Sequence, residues 1–350
     1  MKWLSRVPLE LVVLLYTLAY LPYMMITKLL SSSPAASLGR PLTGLEILPA
    51  TLIVSGVLTF LFIWLSGWWR SAHQARIAGV SVPIPTRWTV LSGLCTALVL
   101  FTVPLSLTFT GVSIPFIQLL MRGDVLLLAP LVDLVFRRKV QWYSWVALLL
   151  VAIGLFLTIR QRGGLDLPPL AIATVILYTI GYFGRLAVMT RISKSGDAGS
   201  VQRYFVEEKL VGIPMAIVFL ALVPLLGLGS QASELGWGFF QVWGEAQIWP
   251  ILILSVLLFV VSVFAAVILL DKRENTFCVP MERSASIVAG IAASLLLAWF
   301  YGLKPPTGIE LIGAALMISA VVLLAVAPRL KGRPRPTTAE VEQARVEGSQ

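Results

Sequence analysis

Two arginines stand in apolar stretches where a charged side chain is costly. Arg122 and Arg283 both lie within segments that otherwise resemble lipid-embedded helices. A charge inside a membrane span costs several kcal/mol and marks a functional site by default. A guanidinium binds carboxylate or phosphate through two parallel hydrogen bonds. The two arginines therefore predict a site for a small anion, with Gln118 beside them, because it lies one turn before Arg122 on the same helical face.

Each of these arginines also has an ordinary structural interpretation. Arg122 could form an internal salt bridge with Asp124 or with Asp133, and Asp133 lies three turns further along the same helical face. Arg283 is near the start of its helix, so its long side chain could instead extend to the lipid headgroups. The sequence does not choose between these roles and a ligand site.

A second group of ionisable residues lies in the second half of the chain. Arg185 is a candidate substrate contact, although extension to the headgroups is an alternative for it and for Lys209. Glu208 could neutralise either of these cations. Four residues are therefore candidates for proton binding or charge pairing: Asp124, Asp133, Glu208 and Lys209.

Two tyrosine pairs repeat at a spacing of four residues, Tyr16 with Tyr20 and Tyr178 with Tyr182. Each pair shares one helical face and lies too deep for the aromatic belt at a membrane surface. A buried phenol needs a hydrogen-bond partner, so these pairs are candidate substrate contacts. Packing against a neighbouring helix explains them equally well.

Motifs of known enzymes are absent from the sequence. It contains no Walker loop, no H-E-x-x-H and no G-x-S-x-G, and His73 is its only histidine. Cys95 and Cys278 lie in apolar segments without metal-ligand spacing. We expect no enzymatic activity, no catalytic residue, no metal and no cofactor.

The elements that must position these residues are membrane helices. Hydrophobic residues make up 58% of the chain, charged residues only 13%, and mean hydropathy is +0.89. A span needs about 20 apolar residues, and all its backbone groups must be bonded internally. We predict an all-α polytopic membrane protein with ten transmembrane helices, near residues 8–27, 45–68, 88–109, 114–136, 141–159, 169–190, 205–228, 249–270, 276–300 and 307–327.

The distribution of basic residues predicts the orientation of these helices. With the amino terminus inside, the outer loops hold only Lys28, Arg40, Arg160, Arg162 and Lys304, while the inner segments hold most of the remaining lysine and arginine. Short cytoplasmic loops accumulate such residues. The net charge of +10 therefore reflects topology rather than nucleic-acid binding. We expect both termini in the cytoplasm and a bacterial inner (plasma) membrane location.

Two aromatic segments are predicted to lie at the membrane surface instead of crossing it. Residues 68–76 carry tryptophan, arginine and histidine and predict a cationic collar on the inner face. Residues 237–249 carry three tryptophans and two phenylalanines and predict an outer belt. Residues 331–350 are polar and rich in proline, which predicts a disordered cytoplasmic tail.

The chain also contains an internal repeat. Residues 15–20 (Leu-Tyr-Thr-Leu-Ala-Tyr) match residues 177–182 (Leu-Tyr-Thr-Ile-Gly-Tyr), and a further match joins residues 113–115 to residues 278–280 at a similar offset. The halves are 1–160 and 165–330. Since five helices per half is an odd number, equivalent helices must cross in opposite directions. Such inverted repeats are typical of alternating access, although a duplication for stability alone is an alternative.

The ten-helix inverted repeat resembles the drug/metabolite transporter superfamily, including its EamA-like and nucleotide-sugar transporter branches. Residues 129–131 (Ala-Pro-Leu) continuing through 145–154, and Pro305-Pro306 continuing through 310–315, carry the resemblance, which covers about residues 1–328. The acidic residue usual after the fourth helix is replaced by Arg137-Arg138-Lys139. The resemblance implies a multi-pass transporter.

The repeat, the arginines and the resemblance predict a secondary transporter or exchanger of a small polar, anionic metabolite. The expected partners are the small-molecule substrate and the lipid bilayer, with no nucleic acid, and a homodimer stays open. The alternative is a membrane scaffold, or a subunit of a lipid-modifying complex, without transport activity.

Overall fold

The structure is a computed structural model that describes residues 9–35, 38–77, 80–109, 112–121, 123, 142–161, 167–193, 200–227, 229, 231–269 and 275–330. Three predicted site residues, Arg122, Asp124 and Asp133, lie outside this part of the chain, and so does the predicted tail.

The described chain is built mainly of long apolar helices. Their bounds are α1 Leu9–Ser32, α2 Gly44–Leu65, α3 Arg87–Ser106, α4 (described over 114–121), α5 Trp142–Gln161, α6 Pro169–Ser193, α7 Ser200–Leu225, a short α8 Ala232–Gly236, α9 Ile248–Leu269, α10 Asn275–Tyr301 and α11 Gly308–Leu330.

Within the described ranges, seven of these helices are long and apolar enough to cross a membrane: α1, α2, α3, α6, α7, α9 and residues Met281–Tyr301 of α10. Shorter apolar helices cover Trp145–Gln161 and Gly308–Leu323. The prediction of an α-helical, multi-pass membrane protein is therefore confirmed at this level. A segment of such length and composition is stable in lipid only as a helix, because every backbone group must be bonded internally.

Helices α3 and α9 each pack against two other long helices. Helix α3 packs along α6 and α7, and α9 packs along α1 and α2, while α5 packs against α11. Glycines permit close approach at several of these crossings. A methyl group on Gly181 of α6 would lie 2.7 Å from the Cys95 carbonyl oxygen of α3, and one on Gly154 of α5 would lie 3.1 Å from the Gly313 carbonyl oxygen of α11. Small residues of this kind let apolar helices pack through their backbones.

Contacts between helix termini define the two ends of the bundle. At one end, Lys28 near the end of α1 donates to the carbonyls of Phe109 and Val112, between α3 and α4. Ser113, before α4, donates to Glu310 at the start of α11. We call this the vestibule end. The opposite end carries the start of α3, the start of α7 and a β-hairpin, and we call it the hairpin end.

The hairpin joins α2 to α3 and was not predicted. Strand β1 (His73–Ile77) pairs antiparallel with β2 (Val80–Ile84), with His73 opposite Ile84. A 3₁₀ turn, Trp68–Ser71, precedes it. The segment predicted to form a cationic collar, residues 68–76, therefore consists of this 3₁₀ turn and most of strand β1. The Trp68 ring packs edge-on against Phe205 of α7, with ring centroids 5.4 Å apart, so this tryptophan contributes to the protein core.

Helix starts at both ends are fixed by capping boxes. Thr43 caps α2 with Glu46, and Thr86 caps α3 with Thr89. At the start of α11, the Thr307 backbone N–H donates to Glu310, whose own N–H donates to the Thr307 hydroxyl. Each box satisfies backbone donors that a helix start leaves unpaired.

Candidate functional site

Arg283 is the largest side chain among the fully buried residues. It lies on α10, about two turns from the helix start, and is 0% exposed. Its guanidinium carbon lies 3.9 Å from the ring centroid of Tyr182 and 5.9 Å from that of Tyr178, both on α6. Arg283 therefore does not extend to the headgroups. Its plane instead rests on aromatic rings, an arrangement that attracts a cation.

The hydrogen-bonding capacity of Arg283 is largely unused. Its Nε lies 3.3 Å from Oε2 of Glu282, an ion pair without hydrogen-bond geometry. Neither of its two terminal nitrogens has a hydrogen-bond partner among the described residues. A buried donor without an acceptor costs about 1–3 kcal/mol, and more when it is charged. Such a group is suited to a ligand that supplies the missing acceptors.

Tyrosines of α6 contact this arginine, and a tyrosine of α1 contacts its chain neighbour Glu282. Tyr16 of α1 donates to Oε1 of Glu282 at 2.7 Å, so it links α1 to α10. Tyr16 stacks on Tyr20 with ring centroids 5.3 Å apart, and Tyr20 stacks on Tyr23 at 5.5 Å. On α6, Tyr178 stacks on Tyr182 at 5.7 Å. We call Arg283, Glu282 and these tyrosines the arginine–tyrosine cluster. Both predicted tyrosine pairs belong to it.

A second buried cluster lies where α3, α6 and α7 meet. Arg185 of α6 donates from Nε to Oε1 of Glu208 at 2.5 Å, and from Nη2 to Oε2 at 3.2 Å. Thr96 of α3 and Tyr204 of α7 also donate to Glu208 Oε1, at 2.6 and 2.9 Å. Lys209 lies beside them. This Glu208 cluster has the geometry of a satisfied structural ion pair.

The structure therefore divides the predicted site residues between two clusters. Arg283, Tyr16, Tyr20, Tyr178 and Tyr182 lie in the arginine–tyrosine cluster. Arg185, Glu208 and Lys209 lie in the Glu208 cluster, where Arg185 is paired with the carboxylate of Glu208. Because α6 carries both Tyr182 and Arg185, three residues apart, the two clusters are neighbours along that helix.

Glu207 has a different role from Glu208, although the two are adjacent in the chain. Its Oε1 accepts from the backbone N–H of His73 at 3.1 Å and lies 2.6 Å from His73 Nδ1. Its Oε2 accepts from the Thr86 backbone N–H at 3.3 Å and from the Thr89 hydroxyl at 2.8 Å. Glu207 thus ties both ends of the hairpin to α7, instead of neutralising a membrane cation.

A cavity lined by both polar and apolar residues opens at the vestibule end. It has a volume of about 710 Å³, within the usual range for small-molecule sites. Its lining includes Lys28, Ser113, Ser294, Lys304 and Glu310, which come from the ends of several helices. We call it the vestibule.

One face of α10 runs from the vestibule to Arg283. Ser294 lines the vestibule, Gly290 lies one turn deeper, and Arg283 lies two further turns along the same face. At Gly290 the neighbouring helices close in: a methyl group there would lie 3.3 Å from Ile114 Cγ2, 3.4 Å from Gln118 Cγ and 3.5 Å from Met24 Sδ. We call Gly290, Ile114, Gln118 and Met24 the septum. The predicted site residue Gln118 is thus placed between the vestibule and the arginine.

Several of these residues were missed in the sequence analysis. Glu282 was not among the predicted site residues, although it binds Tyr16 and pairs with Arg283. Tyr23 continues the spacing of Tyr16 and Tyr20 by three residues, so the pattern itself could have indicated it. No local signal identifies Lys28 or Ser113 as vestibule residues, because their role depends on how helix ends meet.

Comparisons with known proteins give a fold and no family. No family model matches the chain, and no curated protein matches it. A solved structure described as "Crystal structure of protein" is similar, with a TM-score of 0.53 and 13% sequence identity, over 91% of this chain and 99% of that one. At this identity the similarity concerns the fold alone. It shows that this arrangement of helices also occurs in another protein.

Proposed function

We propose that the chain is a secondary transporter or exchanger that moves a small polar anion across the membrane by alternating access. The observation that carries the proposal is the fully buried Arg283, whose terminal nitrogens have no partner among the described residues. A carboxylate or phosphate would bind both nitrogens at once. The stacked rings of Tyr178 and Tyr182 would hold the guanidinium plane in position for it.

The packing of the helices supports the inverted repeat on which alternating access depends. Under the repeat, α1 to α5 correspond to α6, α7, α9, α10 and α11. The counterparts of α3, α6 and α7 are therefore α9, α1 and α2. In the structure α3 packs against α6 and α7, and its counterpart α9 packs against their counterparts α1 and α2. This agreement favours two five-helix halves, 1–160 and 165–330, related by a pseudo-two-fold axis. Membership of the drug/metabolite transporter superfamily is part of the same proposal.

The vestibule supplies one half of a transport route. If both termini are cytoplasmic, the vestibule opens to the outside of a bacterial inner membrane, and the septum at Gly290 separates it from Arg283. An anion entering the vestibule would reach Arg283 when the septum parts. Gln118, in the septum, could then donate to it. Arg122 remains a proposed second anion contact.

The unsatisfied guanidinium also bears on the alternative functions. A scaffold, or a subunit without transport activity, gains nothing from burying a cation with unused donors, and this burial costs stability. In a binding protein the ligand supplies the missing hydrogen-bond acceptors, and its binding offsets the free-energy cost of burying the guanidinium. The buried arginine therefore favours transport over scaffolding, and no enzymatic role is proposed.

Exchange in liposomes tests the proposal. The purified full-length chain is reconstituted, loaded with inorganic phosphate, lactate or glutamate, and assayed for counterflow of the same labelled anion. We expect exchange of at least one anion, and a reduction of roughly 30-fold or more in Arg283→Met, because a buried charge-assisted pair is worth about 2 kcal/mol or more.

The control variant is Arg76→Met, which removes an exposed cation on strand β1, outside the lining of the vestibule. Its exchange rate should stay close to that of the wild type. Absence of exchange for all three anions, or full exchange by a folded Arg283→Met protein, would overturn the proposal.

A further inference from the structure

Among the described residues, Lys209 is a buried cation whose one carboxylate partner is already occupied. Its side chain is 4% exposed, and its ammonium lies 4.0 Å from Oε2 of Glu208, too far for a hydrogen bond. Glu208 itself is bound by Arg185 through both oxygens, and by Thr96 and Tyr204. Within the described part of the chain, the contacts of the ammonium are thus a long ionic contact with Glu208 and a contact with the Phe205 ring, 5.7 Å away.

The charges of this region leave an excess of one positive charge. Arg185 and Lys209 are cationic and Glu208 is anionic, so one cation is uncompensated among the described residues. No ion pair joins Lys209 to any other described carboxylate. Glu207 is committed to the hairpin, Glu46 pairs with Arg40 at the far end of α2, and α9 carries no charged residue. A buried charge without a counter-charge is strongly destabilising.

Lys209 lines a small cavity between α2, α3, α7 and α9. The cavity has a volume of about 10 Å³, close to the space of a single water molecule or monatomic ion. Three hydroxyl residues also line it: Ser55, Thr59 and Ser262. Ser55 and Thr59 donate to carbonyls of their own helix, which leaves Ser262 and Lys209 as the donors that can face an occupant.

We propose that this cavity binds a monatomic anion of the chloride type, held by the Lys209 ammonium and the Ser262 hydroxyl. The anion supplies the missing negative charge, which a water molecule cannot do. A cavity of about 10 Å³ suits a monatomic ion better than a phosphate or a carboxylic acid, and none of its lining residues belongs to the arginine–tyrosine cluster. The proposal does not depend on transport, because its physical basis is the charge excess and the cavity alone.

Chloride binding to the purified full-length chain tests this inference directly. Equilibrium dialysis with radiolabelled chloride should show one more bound chloride per chain in the wild type than in Lys209→Met. Ser262→Ala, which keeps the ammonium and loses one hydroxyl donor, should bind chloride about 5- to 10-fold more weakly. Lys304→Met, which removes an exposed lysine, should bind as the wild type does.

Thermal unfolding gives a second measurement. When gluconate is replaced by chloride at constant ionic strength, the Tm of the wild type should rise by a few degrees, because the anion binds only the folded state. The Tm of Lys209→Met should be independent of chloride, and without chloride should equal or exceed that of the wild type. No chloride binding by the wild type, or equal binding by folded Lys209→Met, overturns the inference. If Lys209→Met does not fold, unchanged affinity in Ser262→Ala overturns the placement of the anion in this cavity.

Discussion

Arg185 is largely buried in the helix bundle and Arg283 is fully buried, and each lies beside a glutamate, yet their surroundings differ. Arg185 donates twice to Glu208, which also accepts from Thr96 and Tyr204. Arg283 approaches Glu282 only through Nε, and its terminal nitrogens have no partner in the described part of the chain. Burial alone therefore does not distinguish a structural ion pair from a ligand site. The number of satisfied donors does.

The largest expected effect separates the two arginines by stability. Arg185→Met should lower the free energy of unfolding by about 3–5 kcal/mol, because it leaves the buried Glu208 without its main partner. Arg283→Met removes a cation that makes no complete hydrogen bond, so its cost should be clearly smaller. Thermal unfolding of both variants in detergent measures the difference. Equal losses of stability would remove the distinction between the two clusters.

A smaller effect is expected at the link between α1 and α10. Tyr16→Phe removes the hydroxyl that donates to Glu282 at 2.7 Å and should cost about 1 kcal/mol, as interhelical hydrogen bonds in membranes do. Tyr301→Phe, at an exposed tyrosine, is the control and should be neutral. A neutral Tyr16→Phe would mean that Glu282 is held by Arg283 alone.

The smallest effect concerns the adjacent glutamate, Glu207. His73→Ala removes a contact at a half-exposed histidine, whose side chain is 49% exposed, so we expect a loss of at most about 1 kcal/mol. Because Glu207 still accepts from Thr86 and Thr89, the loss should be local. Amide exchange should accelerate in β1 and remain unchanged around Glu208. Faster exchange near Glu208 would show that the two glutamates act as one unit.

The positions of most helices could be predicted from the sequence, because a long apolar segment in lipid must be helical to satisfy its backbone hydrogen bonds. The span predicted at 45–68 is Gly44–Leu65, and the span predicted at 249–270 is Ile248–Leu269. The gap between the spans predicted at 88–109 and 114–136 agrees with α3 ending at Ser106 and α4 beginning at residue 114. The hydropathy of a segment is enough to place its helix, whichever helices pack against it.

The grouping of the site residues could not be predicted in the same way. Arg185 and Arg283 both stood out as membrane cations, but the sequence does not show that Thr96, 89 residues before Arg185, would share its glutamate. The hairpin was missed because its two strands are only five residues long each, too short for their alternation to stand out beside the long apolar segments. These features depend on which helix ends meet, and local patterns do not encode that.

The hairpin has a practical consequence for imaging this 38.2 kDa protein. Glu207 is bonded to the start of β1 and to the residue capping α3, so both ends of the hairpin are attached to α7. An antibody fragment raised against β1 and β2 would therefore be coupled to the membrane helices with little freedom to pivot. The hairpin offers a natural fiducial epitope for electron microscopy, on a protein with few other folded features outside the bilayer in the described ranges.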